Sequence, residues 1–185
     1  MSTLRIDEGF VRMWAARYLD DLSEPEREGE RRLIEELGPR VRARGSFTRA
    51  EFFEVAEWKS QRTRALLRRN RTATIESVTA RALGDAEERV SILTALEGVS
   101  DAVASALLTV WDPERYTVYD WRAVETLRRA RELPAAGKYP PVGLYLDVCR
   151  SLVRRLRLGD DLAPHLRSLD RALWKRSQER SRSRR

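Results

Sequence analysis

Two short motifs contain the residues whose types and spacing could do chemistry. The first is the turn Gly98-Val99-Ser100, which joins two expected helices within residues 90–110 (VSILTALEGVSDAVASALLTV). A helix that begins directly after such a turn has unpaired amide groups and a positive dipole end, and both favour an anion such as phosphate. The second motif is VYDWRA at 118–123, in which Asp120 precedes an expected helix. A carboxylate at this place can stabilise a positive charge that develops on a substrate.

The turn at Gly98 also has a purely structural interpretation. Gly98 can adopt a positive φ, and Val99 can fill the gap between two helices that a short turn forces to pack together. Asp101 can cap the second helix, and its charge would repel a phosphate if the side chain pointed outward. A plain helical hairpin is therefore an equal alternative to an anion site.

Taken together, the two motifs resemble the helix-hairpin-helix DNA glycosylases of the endonuclease III type. The residues similar to that family's hairpin pattern are Leu93, Leu96, Gly98, Val99, Val103, Ala104 and Leu107. VYDWRA resembles the segment that contains the family's catalytic aspartate, and the interval from Gly98 to Asp120 is also the family's interval. The resemblance implies that Asp120 is the catalytic carboxylate, that the turn at Gly98 to Ser100 binds the DNA backbone, and that the partner is double-stranded DNA.

A weaker part of the resemblance lies upstream. The segment WKSQR at 58–62 looks like the family's segment that faces the base pocket, so the resemblance covers about residues 48–131. The residues that it suggests for the base pocket or for DNA contact are Trp58, Lys59, Gln61, Tyr119, Trp121 and Arg122. Each has a structural alternative, because aromatic residues at helical spacing are commonly core and charged residues commonly lie on a solvated face or pair with a carboxylate.

The sequence departs from this family at three points. Ser100 replaces the family's second hairpin glycine and narrows the backbone freedom of the turn. Ala102 stands where bifunctional members have a nucleophilic lysine, so a Schiff base cannot form at this position. The four-cysteine cluster of some relatives is absent, because the chain has one cysteine. The resemblance therefore implies a monofunctional enzyme that removes a damaged or unusual base.

Two other functions stay open. Aspartate is among the best residues for beginning a helix, so Asp120 could serve only as an N-cap. The chain would then bind DNA without catalysis. Alternatively, Asp101 and the 29 acidic residues leave room for a helical module that binds another protein.

The composition limits the classes of function. The chain has 36 Lys and Arg against 29 Asp and Glu, a net charge of +7, and this balance suits a polyanionic partner such as nucleic acid. One cysteine, Cys149, and one histidine, His165, leave no set of soft metal ligands, so we expect no metal and no cofactor. No stretch approaches the roughly 18 apolar residues that span a bilayer. We therefore expect no membrane partner and a cytoplasmic protein, nucleoid-associated if it binds DNA.

Helices must position these motifs, because apolar residues recur at steps of three and four along most of the chain. The predicted capping boxes, which begin three of the helices, are Ser23 with Glu26, Thr48 with Glu51, and Asp85 with Glu88. The expected helices cover 6–22, Ser23 to the stop at Gly38 and Pro39, Thr48 through Leu66, 73–83, the two arms of the hairpin, 121–131, 142–157 and 162–176.

The predicted architecture is all-α, a helical bundle like that of the helix-hairpin-helix glycosylases, in two small lobes. Its parts are N-terminal helices at 1–47, a core at 48–131 with the hairpin at 88–110 and the aspartate segment at 116–122, C-terminal helices at 132–176, and a basic, disordered tail at 177–185. The first and last helices are expected to share the second lobe.

Overall fold

The fold is that of a computed structural model, which describes residues 4–84, 86–135, 137 and 139–182. Within these residues the chain is all-helical and contains no strand, so the predicted all-α class is confirmed. The α-helices are α1 (Glu8–Asp20), α2 (Glu24–Arg32), α3 (Gly38–Arg44), α4 (Arg49–Lys59), α5 (Arg64–Leu67), α6 (Thr72–Leu83), α7 (Arg89–Leu93), α8 (Asp101–Trp111), α9 (Trp121–Arg129), α10 (Val142–Leu156) and α11 (His165–Arg182).

The helices form two compact units. The first unit consists of residues 1–27 and 114–185, and the second of residues 28–113. The predicted core at 48–131 coincides with neither, because its last part, 114–131, belongs to the first unit. The two ends of the chain share the first unit, as expected for the first and last helices.

In the first unit α11 is the central helix, and α1, α9 and α10 pack against it. Asp7 is the N-cap of α1, and its Oδ1 accepts a hydrogen bond of 2.9 Å from the Phe10 amide. The core includes the fully buried ring of Tyr145, whose hydroxyl donates to the Val118 carbonyl at 2.9 Å. This bond ties α10 to the non-helical segment that leads into α9.

The prediction of a disordered tail from residue 177 is wrong for residues 177–182, which continue α11. Ser177 is buried and its hydroxyl donates to the Glu125 carboxylate. Lys175 is also buried, and its ammonium pairs with Asp21 and Glu179. Polar side chains near the end of α11 therefore pack against the unit through hydrogen bonds and ion pairs. A search of the sequence for regularly spaced apolar residues does not detect such contacts. Residues 183–185 lie outside the described chain.

In the second unit α8 is the central helix, buried from Val103 to Val110. Helices α3, α4 and α7 pack against it. The predicted stop at Gly38 and Pro39 is wrong: after a π-helical turn at Leu33–Leu37, the chain continues directly into α3. Gly38 serves close packing instead, because a Cβ there would overlap the Val110 carbonyl oxygen. Residues 38–44, which a stop at Gly38 would leave outside any helix, are therefore helical.

Local start signals were predicted more accurately than helix ends. The capping box of Thr48 and Glu51 is confirmed at the start of α4, and Glu26 accepts bonds from the Ser23 amide and hydroxyl. The box of Asp85 with Glu88 falls on a residue outside the described chain. The expected helix through Leu66 is wrong, since α4 ends at Lys59 and Ser60 is extended.

Candidate nucleic-acid interface and carboxylate site

The turn between α7 and α8 has the predicted backbone. Gly98 has φ of +78°, and Val99 is buried. A Cβ on Gly98 would lie 2.9 Å from the Cβ of Leu66 and 2.9 Å from the backbone nitrogen of Leu67. Glycine is therefore required here by the dihedral angle and by the close approach of the preceding segment.

The amino end of α8 faces solvent. Ser100 is the N-cap and is exposed, and its side chain makes no capping hydrogen bond. The first-turn amides of a helix have no partner within that helix, so this end can accept an anion. Asp101, also exposed, places a negative charge in the same turn. The turn alone is therefore a poor phosphate site.

Asn70 holds the turn in place, a role that sequence reasoning missed. Its side-chain nitrogen donates to the carbonyls of Leu67 at 2.8 Å and Glu97 at 2.9 Å, and its side-chain oxygen accepts from the Glu97 amide at 2.9 Å. The side chain is buried. An asparagine in a run of arginines looks like an ordinary loop residue, so no local signal marks this contact.

A basic segment lies directly against the turn. We call residues 62–71 (RTRALLRRNR) the arginine segment; it contains α5 and precedes α6. Its arginines, all exposed, are Arg62, Arg64, Arg68, Arg69 and Arg71. The guanidinium of Arg69 lies 3.6 Å from the Glu97 carboxylate, one residue before Gly98. The density of arginine was visible in the sequence, but its place beside the turn was not.

The upstream candidates have different environments. Trp58 and Lys59 lie at the end of α4 and are half-buried, whereas Gln61 is exposed in the loop that follows. All three belong to the unit that contains the turn. Of the three, Gln61 is the residue most accessible to a ligand.

Asp120 lies in the first unit, at the amino end of α9. Its side chain is half-buried, and Oδ1 accepts a hydrogen bond of 2.9 Å from the Arg122 amide. The preceding residues, 116–119, are buried and fix where this helix begins. The carboxylate is thus positioned by a helix start, the geometry shared by an N-cap and by a catalytic group at a dipole end.

Trp121 and Arg122 form a small aromatic and cationic cluster on α9. Trp121 is 46% exposed. The Arg122 guanidinium carbon lies 4.4 Å from the centre of the Trp121 ring and 5.4 Å from that of Trp174. Its Nη1 is buried without a hydrogen-bond partner in the described part of the chain. Arg122 thus lies within cation–π distance of two indoles and forms no ion pair with a carboxylate that the structure describes.

Tyr119 belongs to the core of its unit. Its ring is buried and packs edge-on against Tyr145, with the ring centres 5.2 Å apart. Its hydroxyl donates to the Pro140 carbonyl at 2.6 Å.

Cys149 is also buried, and burial raises the pKa of its thiol, so the thiolate is disfavoured. Nε2 of His165 lies 3.2 Å from the Gly159 carbonyl oxygen, a structural contact.

An open pocket of about 460 Å³ lies beside α9. Its lining residues are Trp121, Val124, Glu125, Arg128, Arg129, Ala135, Gly137 and Tyr139. Two exposed aromatic rings together with arginine and glutamate can stack on a planar ring and bond to its polar edge. One of its lining residues, Trp121, directly follows Asp120 in the sequence.

No group of three metal-binding side chains occurs among the residues that the structure describes. None of the helices in that part of the chain combines the length and the apolar character needed to cross a bilayer. Comparisons of the chain with family models, with curated proteins and with solved structures found no match.

Proposed function

We propose that this protein is a DNA-binding N-glycosylase that hydrolyses the bond between a damaged or unusual base and its sugar, with Asp120 as the catalytic carboxylate. The turn at Gly98 to Ser100 binds the DNA backbone. Double-stranded DNA is the partner, and no cofactor takes part.

The observation that supports this proposal is the order of the structural elements. A positive-φ glycine turn is followed by the buried helix α8, by a buried non-helical segment at 116–119, and then by Asp120 at the amino end of α9. This is the order that the resemblance to helix-hairpin-helix glycosylases requires. The exposed Trp121, directly after Asp120, adds an aromatic surface on which a base can stack.

The proposed reaction needs one ionised carboxylate and one water molecule. The enzyme first extrudes the target base from the duplex, which costs a few kcal/mol and less at a damaged pair. The N-glycosidic bond then breaks, and its electron pair leaves with the base, which is protonated. Asp120 stabilises the positive charge on the sugar and orients the water that adds to the sugar carbon and gives up a proton.

A second candidate function is DNA binding without catalysis. The bond from the Arg122 amide to Oδ1 of Asp120 is what a plain N-cap makes. An N-cap needs no substrate, so this bond favours the second candidate as much as the first.

The variant Asp120→Asn separates the two candidates. Asparagine caps a helix about as well as aspartate does, so the variant should stay folded, with a melting temperature that falls by at most a few degrees through the lost interaction with the helix dipole. We expect wild-type protein to release one class of modified base from duplex oligonucleotides, detected by hot-alkali cleavage at the abasic site. We expect the variant to release it at least about 100-fold more slowly.

Asp147→Asn is the matched control, because Asp147 is an exposed carboxylate in the same unit. It should retain full activity. Release of no base by wild-type protein, together with salt-dependent duplex binding, would favour the second candidate. An absence of duplex binding at low salt would contradict both.

A further inference from the structure

We propose that the arginine segment forms a phosphate-binding surface that grips duplex DNA beside the glycine turn. This inference rests on the proposed DNA binding and identifies the residues that supply most of the attraction. Arg62, Arg68 and Arg71 are the proposed phosphate contacts.

These three arginines carry positive charge that none of the described acidic residues pairs with. Arg64 pairs with Glu57 at 2.8 Å, and Arg69 pairs with Glu97 at 3.6 Å. Arg62, Arg68 and Arg71 are exposed and form no ion pair with any residue that the structure describes. Three uncompensated guanidinium groups within ten residues are a concentrated polyanion-binding surface.

The segment is held rigidly against the turn. Leu66 and Leu67 approach Gly98 so closely that no side chain fits between them. Asn70 bonds both to Leu67 within the segment and to Glu97 on the turn. A phosphate-binding surface needs this rigidity, because arginine side chains on a disordered loop would lose more conformational entropy on binding.

Arg49 supports the segment from the adjacent helix α4. Its guanidinium donates to the carbonyl oxygens of Arg68, at 3.1 Å, and of Asn70, and it lies 4.8 Å from the centre of the Phe53 ring. Both carbonyls belong to the turn that presents Arg68 and Arg71. The backbone that presents the two guanidinium groups is thus fixed from within the unit.

Asp101 explains why the turn needs this surface. Its exposed carboxylate at the start of α8 opposes the approach of a phosphate to the helix end. The arginine segment, packed against the turn through Leu66, Leu67 and Asn70, supplies positive charge that offsets this carboxylate. Guanidinium groups bind phosphate oxygens in a bidentate manner, and such backbone contacts position a duplex without reading its sequence.

The test is the salt dependence of duplex binding. Fluorescence anisotropy gives the dissociation constant of a labelled, unmodified DNA duplex across a series of salt concentrations for wild-type protein and for Arg62→Gln/Arg68→Gln/Arg71→Gln. Each phosphate contact contributes about 0.9 to the slope of log affinity against log salt concentration. We expect the slope of the triple variant to be smaller by roughly 2.7, the loss of three contacts.

The matched control is Arg40→Gln/Arg81→Gln/Arg154→Gln. These arginines lie outside the segment, are exposed and form no ion pair within the described chain, so the control removes the same net charge. We expect it to retain the wild-type slope. Equal slopes for the triple variant and wild-type protein, or equal losses in the triple variant and the control, would overturn the inference.

A lysine version keeps the test valid if the glutamine variant folds poorly. Arg62→Lys/Arg68→Lys/Arg71→Lys retains the charges and should retain a slope close to that of wild-type protein, whereas Arg68→Glu alone should reduce it. A wild-type slope in Arg68→Glu would overturn the inference. If wild-type protein does not bind duplex DNA, the proposed function fails as well. If it binds and the arginine variants do not alter the slope, this inference fails alone.

Discussion

Gly98 meets two structural constraints that glycine alone satisfies without strain. Its φ of +78° lies in the left-handed region, and the space where a side chain would begin is filled by Leu66 and Leu67. A glycine required for close packing is also what a backbone-binding turn needs. The residue by itself therefore does not distinguish a ligand site from a tight helical hairpin.

Gly98→Ala should destabilise the protein more than Gly45→Ala. Gly45 has the same φ of +78°, but a Cβ there would meet no atom within 4 Å, so its substitution isolates the backbone strain. We expect a loss of about 1–2 kcal/mol in the free energy of unfolding for Gly45→Ala. Gly98→Ala should lose a further 1–3 kcal/mol, roughly, through overpacking. Urea unfolding measures both, and equal losses would show that the contact with Leu66 and Leu67 imposes no constraint.

The position and residue type of Asp120 fit two roles, helix capping and catalysis. The structure places it at the start of α9, where its carboxylate caps the helix. Capping and catalysis require the same position, because both depend on the amide groups and the dipole of the helix end. Only a change of charge at constant hydrogen bonding, as in Asp120→Asn, can separate them.

At the scale of elements, Asn70 makes the arginine segment and the α7–α8 turn into one rigid feature. The buried Asn70 side chain donates two hydrogen bonds and accepts one, and two of these three bonds reach Glu97, 27 residues along the chain. A buried amide that satisfies backbone groups on both sides leaves them without partners when it is removed. The geometry of the proposed phosphate surface depends on this side chain.

Asn70→Ala should reduce the free energy of unfolding by about 1–3 kcal/mol. It should also accelerate hydrogen exchange at the Glu97 amide, which loses its acceptor. Thr94→Ala is the control, since it removes a single bond of 2.9 Å to the Ser91 carbonyl in the same hairpin. Unchanged exchange at Glu97 in Asn70→Ala would contradict the proposed role of Asn70.

At the scale of the whole chain, polar side chains on α11 join the two ends of the sequence within one unit. The buried Lys175 pairs with Asp21, which follows α1. Arg167 pairs with Asp170, and it also donates to the Tyr18 hydroxyl at 3.2 Å. These contacts add polar links between the first and last helices, which pack together in this unit.

The ion pair of Asp21 and Lys175 makes stability depend on pH. The hydrogen bond from Lys175 lowers the pKa of Asp21, so the unfolded chain takes up a proton at a higher pH than the folded chain does. The stabilisation is present at neutral pH and is lost as the pH falls through the lowered pKa. We expect Asp21→Asn to melt a few degrees below wild-type protein at about pH 7 and this difference to disappear in strong acid.

Asp20→Asn is the control for this measurement. Asp20 is the neighbouring exposed carboxylate and forms no ion pair within the described residues. Its substitution should not lower the melting temperature at neutral pH. A pH-independent difference between wild-type protein and Asp21→Asn would contradict the electrostatic origin of the stabilisation.

The sequence by itself determined the features that depend on near neighbours. The helical class follows from apolar spacing, the start of α4 from the capping box at Thr48, and the positive φ at Gly98 from a glycine in a short turn between two helices. Asp120 at a helix start was likewise readable from the chain. Each of these is a local preference of a few consecutive residues.

The tertiary structure decided the features that depend on residues distant in the chain. Gly38 looked like a helix stop, but packing against Val110 makes it part of a continuous helical path. Residues 177–182 looked disordered, but their polar side chains find partners on other helices of the unit. The place of the arginine segment beside Gly98 depends on the contacts of Asn70. The sequence pattern indicates the local conformation that each residue favours. Which distant group a side chain contacts is determined only when the chain folds.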